Sequence, residues 1–156
     1  MERRKKKRDR TAQTSFQEAR EIGLVYLSRR ARSAHEVAQR LKQKEFSEEV
    51  IVEVLSELGR LRFVDDRAYA RRWIEARIDK AAGARKLSQD LRRKGIAVDV
   101  IDELLSEYSA QLGNPDRAVD LLRKQVWRYR SLEREKAQRR MLGFLARRGY
   151  DAKTAW

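Results

Sequence analysis

Three short clusters of cations recur at matching places in this chain: Lys42 and Lys44 behind Leu41, Arg92 to Lys94 behind Leu91, and Arg147-Arg148 behind Leu145. A large apolar residue closes each one, Phe46, Ile96 or Tyr150. Ammonium and guanidinium groups set this way bind phosphate and carboxylate oxygens through charge-assisted hydrogen bonds. A structural duty competes, because each cluster falls in what reads as the last turn of a helix, where cations favour the negative end of the helix dipole. That account would suffice for one helix; repetition at equivalent positions predicts a basic stripe along stacked units. Arg29, Arg30 and Arg32, in a turn with no core duty, join the candidate contacts, as do Arg71, Arg72, Arg77, Arg85, Lys86, Arg139 and Arg140.

Other chemistry finds no residues to carry it. With no cysteine there is no thiolate nucleophile, disulfide or thiolate metal site. The lone His35 sits at a helix start, and neither a glycine-rich phosphate loop nor a His-carboxylate cluster at ligand spacing is present. The expectation is a binding protein rather than an enzyme, without metal or cofactor. Its 38 Lys and Arg against 24 Asp and Glu give a net charge of +14 and suit a polyanionic partner, DNA or an acidic protein surface. The excess sits at the ends: +5 over residues 1–10, +1 over 11–63, +1 over 64–114 and +7 over 115–156. The opening MERRKKKRDR lacks both apolar periodicity and the apolar core of a signal peptide, so residues 1–13 read as a flexible basic arm. No run approaches the roughly 18 apolar residues of a membrane span, and a soluble, cytoplasmic monomer is expected.

The elements that must position these cations read as helices throughout. Glycine and proline are scarce, seven and one, and apolar residues fall at helical rather than alternating spacing. Thr14 or Ser15 can open a helix with Ala19, Ile22 and Tyr26. Ser33 to Glu36 forms a capping box ahead of Val37 and Leu41. Ser47 can cap a third helix with Ile51, Val54 and Leu58, with Phe46 folding back as a staple. The set then returns: Asp65 before Tyr69 and Trp73, Gly83 before Leu87 and Leu91, and Ile96 before Ile101 and Leu104. A shift of 50 residues superposes Leu41 on Leu91, Lys44 on Lys94 and Phe46 on Ile96. Asn114-Pro115 opens a third set with Leu121, Leu122, Met141 and Leu145, cut short at Trp156. The fold expected is all-α, an elongated solenoid-like body of three-helix repeats over residues 14–63, 64–113 and 114–156, the last truncated.

Within that frame Gly95 and Gly149 supply left-handed residues that end a helix, whereas Glu45 does not, so the first turn is expected to differ. The third helices are acidic, with Glu48, Glu49, Glu53 and Glu57 in one and Asp99, Asp102, Glu103 and Glu107 in the other. Arg77 shares a helix face with Asp66, Tyr69, Ala70 and Trp73. Its place on that apolar stripe favours a structural role: snorkelling out, stacking on Trp73, or pairing with an acid of a third helix.

The run DDRAYARRWIEARIDKAAGARKLSQDLRRKGI, Asp65 to Ile96, resembles the signature of the RecX family, regulators of the bacterial recombinase RecA. Asp65, Asp66, Tyr69, Ala70, Trp73, Arg77, Gly83, Leu91, Lys94 and Gly95 match the family pattern, and LSRRARSAHEVAQRLKQKEFSEEVIVEVLSEL is similar to the family's first unit. The likeness spans about residues 18–155. It departs at Glu45, where glycine is usual, in the basic arm, and in the shortened third unit. The resemblance implies a protein that lies in the groove of the RecA filament on DNA and limits filament growth, ATP turnover and strand exchange in DNA repair and recombination. The residues alone leave open an autonomous helical protein that binds nucleic acid without sequence preference.

Overall fold

The computed structural model describes residues 2–78 and 82–150, with side chains from Thr14 onward. Among them every regular element is a helix: α1 (Glu2–Arg29), α2 (Ala34–Lys42), α3 (Glu48–Arg60), α4 (Asp66–Ile78), α5 (Ala84–Arg93), α6 (Val98–Glu107), α7 (Ser109–Leu112), α8 (Pro115–Arg123), a 3-10 turn (Val126–Arg128) and α9 (Arg134–Arg147).

Four helices begin where a side chain takes up an orphaned backbone N–H. Ser33 and Glu36 form the complete capping box of α2. The Ser47 hydroxyl accepts from Val50 N, Asp65 Oδ1 from Ala68 N at 2.8 Å, and Asn114 Oδ1 from Asp116 N at 2.9 Å ahead of Pro115. One boundary differs from expectation. In place of an arm preceding a helix at Thr14, α1 runs back to Glu2. Lys, Arg, Gln, Ala and Glu are good helix formers, and neither Gly nor Pro interrupts residues 2–22. The four-residue α7, which no periodicity announced, follows directly on Tyr108, the residue that ends α6. The short final helix expected after Tyr150 lies outside the described residues.

Packing divides the chain into two compact units. Unit 1 comprises residues up to Tyr69 together with Lys94–Ile96, and unit 2 comprises Ala70–Arg93 and the residues from Ala97 on. In unit 1, α1, α2 and α3 close over Ala19, Val37, Leu41, Ile51, Val54, Leu58 and Val64. Gly23 lets α1 approach closely, since a Cβ there would stand 3.3 Å from Leu58 Cδ1. Unit 2 buries Ala70, Ile74, Leu87, Leu91, Ile101 and Leu104, with a further cluster of Ala118, Leu145 and Tyr150 under Leu121, Leu122 and Phe144. Full burial of a Leu or Ile side chain contributes roughly 1.5–3 kcal/mol, so these faces carry much of each unit's stability.

The turn after α2 corrects an expectation. Glu45 adopts the same left-handed backbone as its glycine counterparts, with φ 63° against 74° at Gly95 and 88° at Gly149. The helix-closing bonds correspond too: Phe46 N–H reaches Leu41 O at 3.4 Å, and Tyr150 N–H reaches Leu145 O at 3.1 Å. A left-handed residue other than glycine costs roughly 1–2 kcal/mol, and the closed turn and buried leucine bear that strain.

Candidate polyanion interface

Of the second basic cluster, Lys94 belongs to unit 1 and is built into it. The Ser33 hydroxyl, fully buried, donates to Lys94 O at 2.7 Å and accepts from Glu36 N at 3.2 Å. Glu36 Oε1 accepts from Lys94 Nζ at 2.9 Å and lies 3.5 Å from Arg32 Nη1 and 3.7 Å from Arg30 Nη2; Oε2 takes the Ser33 N–H at 3.3 Å. Burial pushes the Glu36 carboxyl upward, but the Lys94 bond, the Ser33 N–H and the Lys94 charge outweigh it and hold the group below the ordinary glutamate value. Asp66 lies beside this node, its Oδ1 accepting from Ala34 N at 2.8 Å. Burial raises its carboxyl above the ordinary value despite that bond, and the neighbouring Asp65 charge adds to the rise.

Lys94 and Arg32, both expected to meet a partner, therefore serve the fold. Their side chains keep only 24% and 13% of their exposure. Arg32 also stacks on Tyr26, 4.1 Å from the ring centroid, and its buried Nε meets no acceptor among the described residues.

Unit 2 repeats the arrangement in backbone atoms. Gly83 N–H donates to Arg148 O at 2.8 Å, and Arg85 N–H to Gly149 O at 3.3 Å, at the start of α5. The paired glycines are obligatory here. A Cβ at Gly149 would overlap the Lys86 backbone, one at Gly83 would overlap Gly149, and in unit 1 one at Gly95 would overlap His35. The basic-Gly step thus meets the amide end of a helix within each unit, Lys94-Gly95 at the start of α2 in unit 1 and Arg148-Gly149 at the start of α5 in unit 2.

Further candidates are engaged within unit 2. Arg77 lies 3.3 Å above the Trp73 ring and bonds Trp73 O at 3.4 Å, which selects stacking from the three roles open to it. Arg71 pairs with Glu107 at 2.8 Å beside Tyr108, whose hydroxyl donates to Glu75 at 2.6 Å. Lys86 pairs with Asp90 at 2.6 Å.

The remaining cations face solvent. In unit 1 these are Arg29, Arg30, Lys42 and Lys44, with Lys42 at 4.0 Å from Glu48. In unit 2 they are Arg72, Arg85, Arg92, Arg93, Arg139, Arg140, Arg147 and Arg148. Arg29, Arg40 and Lys44 line, with Glu21, Ile22, Val25 and Tyr26, a groove of about 390 Å³ between α1 and α2. Arg40 was missed in the sequence, although its i,i+4 spacing to Glu36 and Lys44 placed it on their face of the helix. Also passed over was KQVWRYR, Lys124 to Arg130, where three cations and a tryptophan stand without an acid.

The signature residues of the central run thus hold the fold, and the exposed arginines around them are the groups available to bind. Such a surface suits phosphates or carboxylates.

Comparison with known proteins gives a consistent result. Residues 19–58 match the family model described as RecX, first three-helix domain, and residues 65–105 match RecX, second three-helix domain. The chain is 34% identical over 135 residues to the regulatory protein RecX of Streptomyces coelicolor, covering 86% of this chain and 71% of that one. It is 36% identical over 138 residues to the regulatory protein RecX of Mycobacterium sp. (strain JLS), covering 85% and 74%. The crystal structure of RecX from Lactobacillus salivarius shares the fold at TM-score 0.81 and 22% identity, over 91% of this chain and 92% of that one. A second crystal structure, of regulatory protein RecX, gives TM-score 0.82 at 25% identity over 92% and 71%.

Proposed function

The chain belongs to the RecX family, a family of regulatory proteins rather than enzymes, and from that premise we propose that it binds the RecA filament on DNA and restrains it, slowing ATP turnover and strand exchange. The observation that supports this reading is the division of labour among the cations. Arg32, Arg71, Arg77, Lys86 and Lys94 are engaged within the fold, while Arg29, Lys44, Arg72, Arg92, Arg93, Arg147 and Arg148 stand exposed. A filament of recombinase on DNA offers carboxylates and phosphates together, and exposed arginines engage both, bidentately where geometry allows. Among the described residues no helix is long and apolar enough to cross a membrane, and the protein acts in the cytoplasm on this reading.

The test is RecA's DNA-dependent ATPase, titrated with this protein at concentrations that leave bare DNA unoccupied. Inhibition in that range supports a contact with the filament. Inhibition only where bare DNA is already coated would leave an autonomous nucleic-acid-binding protein in its place.

A further inference from the structure

The connection between α8 and α9 carries the most exposed large apolar side chain among the described residues. Trp127 keeps 68% of its surface in solvent, and the other exposed large hydrophobics among the described residues are aliphatic or, in one case, phenylalanine. Neither cluster described above includes it, although an indole exposed to water forfeits one of the largest burial gains a side chain can make. The surroundings are cationic: Lys124, Arg128 and Arg130 lie within three residues of it, and no carboxylate occurs from Leu121 to Leu132.

The platform is also held in place. Arg128 N–H reaches Gln125 O at 3.0 Å, Tyr129 N–H reaches Val126 O at 3.0 Å, and Leu132 N–H reaches Tyr129 O at 3.1 Å, which closes the 3-10 turn. The Arg128 side chain is fixed by a 3.2 Å bond to Gln125 Oε1, and its guanidinium stands 5.7 Å from the indole centroid. An exposed indole, a prepositioned Arg128, and Lys124 and Arg130 close by in a segment without acids make up the chemistry that takes an unstacked nucleobase and its flanking phosphates. Val126 beside it is also exposed, and tryptophan with arginine serves protein contacts too; three cations without an acid from Lys124 to Arg130 favour a polyanionic strand over a protein pocket.

We propose that Trp127, with Lys124, Arg128 and Arg130, is a stacking site for single-stranded nucleic acid. In a duplex the bases already stack on one another, so the indole adds affinity for single strands in particular, while the cations serve both forms. The site stands independently of the recombinase reading, because it is measured on nucleic acid alone.

The experiment is fluorescence anisotropy of the full chain with a labelled oligo(dT) and with a duplex of equal length, for the parent, Trp127→Ala and Trp127→Phe. Stacking is worth roughly 1–3 kcal/mol per base, so Trp127→Ala should weaken single-strand binding by about 5- to 150-fold. Duplex binding should stay within about twofold, and Trp127→Phe should recover most of the single-strand affinity. Equal losses on both forms, no loss on single strands, failure of phenylalanine to restore, or a parent that does not bind oligo(dT) at low salt would each overturn the proposal. So would a Trp127→Ala protein that binds oligo(dT) like the parent yet fails to inhibit RecA, which would make the indole a protein contact.

Discussion

Replacing Gly95 by alanine should destabilise the protein by about 2–4 kcal/mol, and most of that should come from His35. Two effects can be separated. At φ 74° an L-residue pays roughly 1–2 kcal/mol, partly offset by the gain of about 0.4–1 kcal/mol from a stiffer unfolded chain. The new Cβ would also overlap the His35 Cβ and ring. Relieving that overlap moves Lys94-Gly95 off the start of α2 and weakens the Ser33–Lys94 and Lys94–Glu36 bonds, worth roughly 1–3 kcal/mol together. Urea unfolding of Gly95→Ala, His35→Gly and the double variant isolates the second effect. His35→Gly removes the obstructing side chain at a cost of about 1 kcal/mol in helix propensity, so the double variant should be at least 1 kcal/mol more stable than the sum of the single losses predicts. Glu45→Gly is the reference, with the same backbone but an exposed side chain, and should stabilise by about 0.5–1 kcal/mol. Additive losses in the cycle, or a Gly95→Ala cost no larger than the left-handed penalty alone, would refute a steric role for His35.

Glu36→Gln should cost about 1–3 kcal/mol, since Lys94 and Arg32 lose their charged acceptor. Because the folded Glu36 carboxyl lies below its unfolded value of 4.5, its stabilisation is fully present above pH 4.5 and is lost as pH falls through the folded value; Glu36→Gln should flatten that acid limb in urea midpoints measured against pH. Asp66 works the other way, its raised carboxyl favouring the folded state as pH falls, so the parent's acid limb is the sum of opposed trends. Arg92→Glu/Arg93→Glu should shift stability by no more than about 1 kcal/mol yet reduce inhibition of RecA more than tenfold, because like charges at an interface cost several kcal/mol. Asp102→Arg on α6 is the control expected to inhibit like the parent, and a reversed pair at Arg92 and Arg93 that inhibits normally would remove these residues from the mechanism.

The helix starts were legible because their chemistry is local. A capping box, an Asn-Pro pair or an aspartate before an apolar stripe acts within four residues, and Ser33, Asp65 and Asn114 all cap where they were read to cap. The stacking of Arg77 was legible for the same reason, as one of three roles on one helix face. What could not be read depends on neighbours remote in sequence. Lys94 and Arg32 pass for contact residues until Glu36 is seen to gather them, the first from 58 positions away. The turn at Glu45 was misjudged because glycine was read as a requirement of backbone angle, when at Gly95 and Gly149 it is also a requirement of space. Trp127 went unnoticed because no periodicity governs a three-residue 3-10 turn.

The hexapeptides LKQKEF, LRRKGI and LARRGY carry a left-handed fifth residue in common, but they differ in what presses against it. At Glu45 the side chain runs into solvent, while a Cβ at Gly95 or Gly149 would run into His35 or Lys86. Transplantation between them is therefore one-way. LARRGY grafted over residues 41–46 brings a glycine to the left-handed position, with no Cβ to accommodate, whereas LKQKEF grafted over 91–96 or 145–150 drives a glutamate into the start of α2 or α5. A chain lengthening itself by copying its first segment would inherit that glutamate, and the copy could not settle until a mutation to glycine had cleared the space.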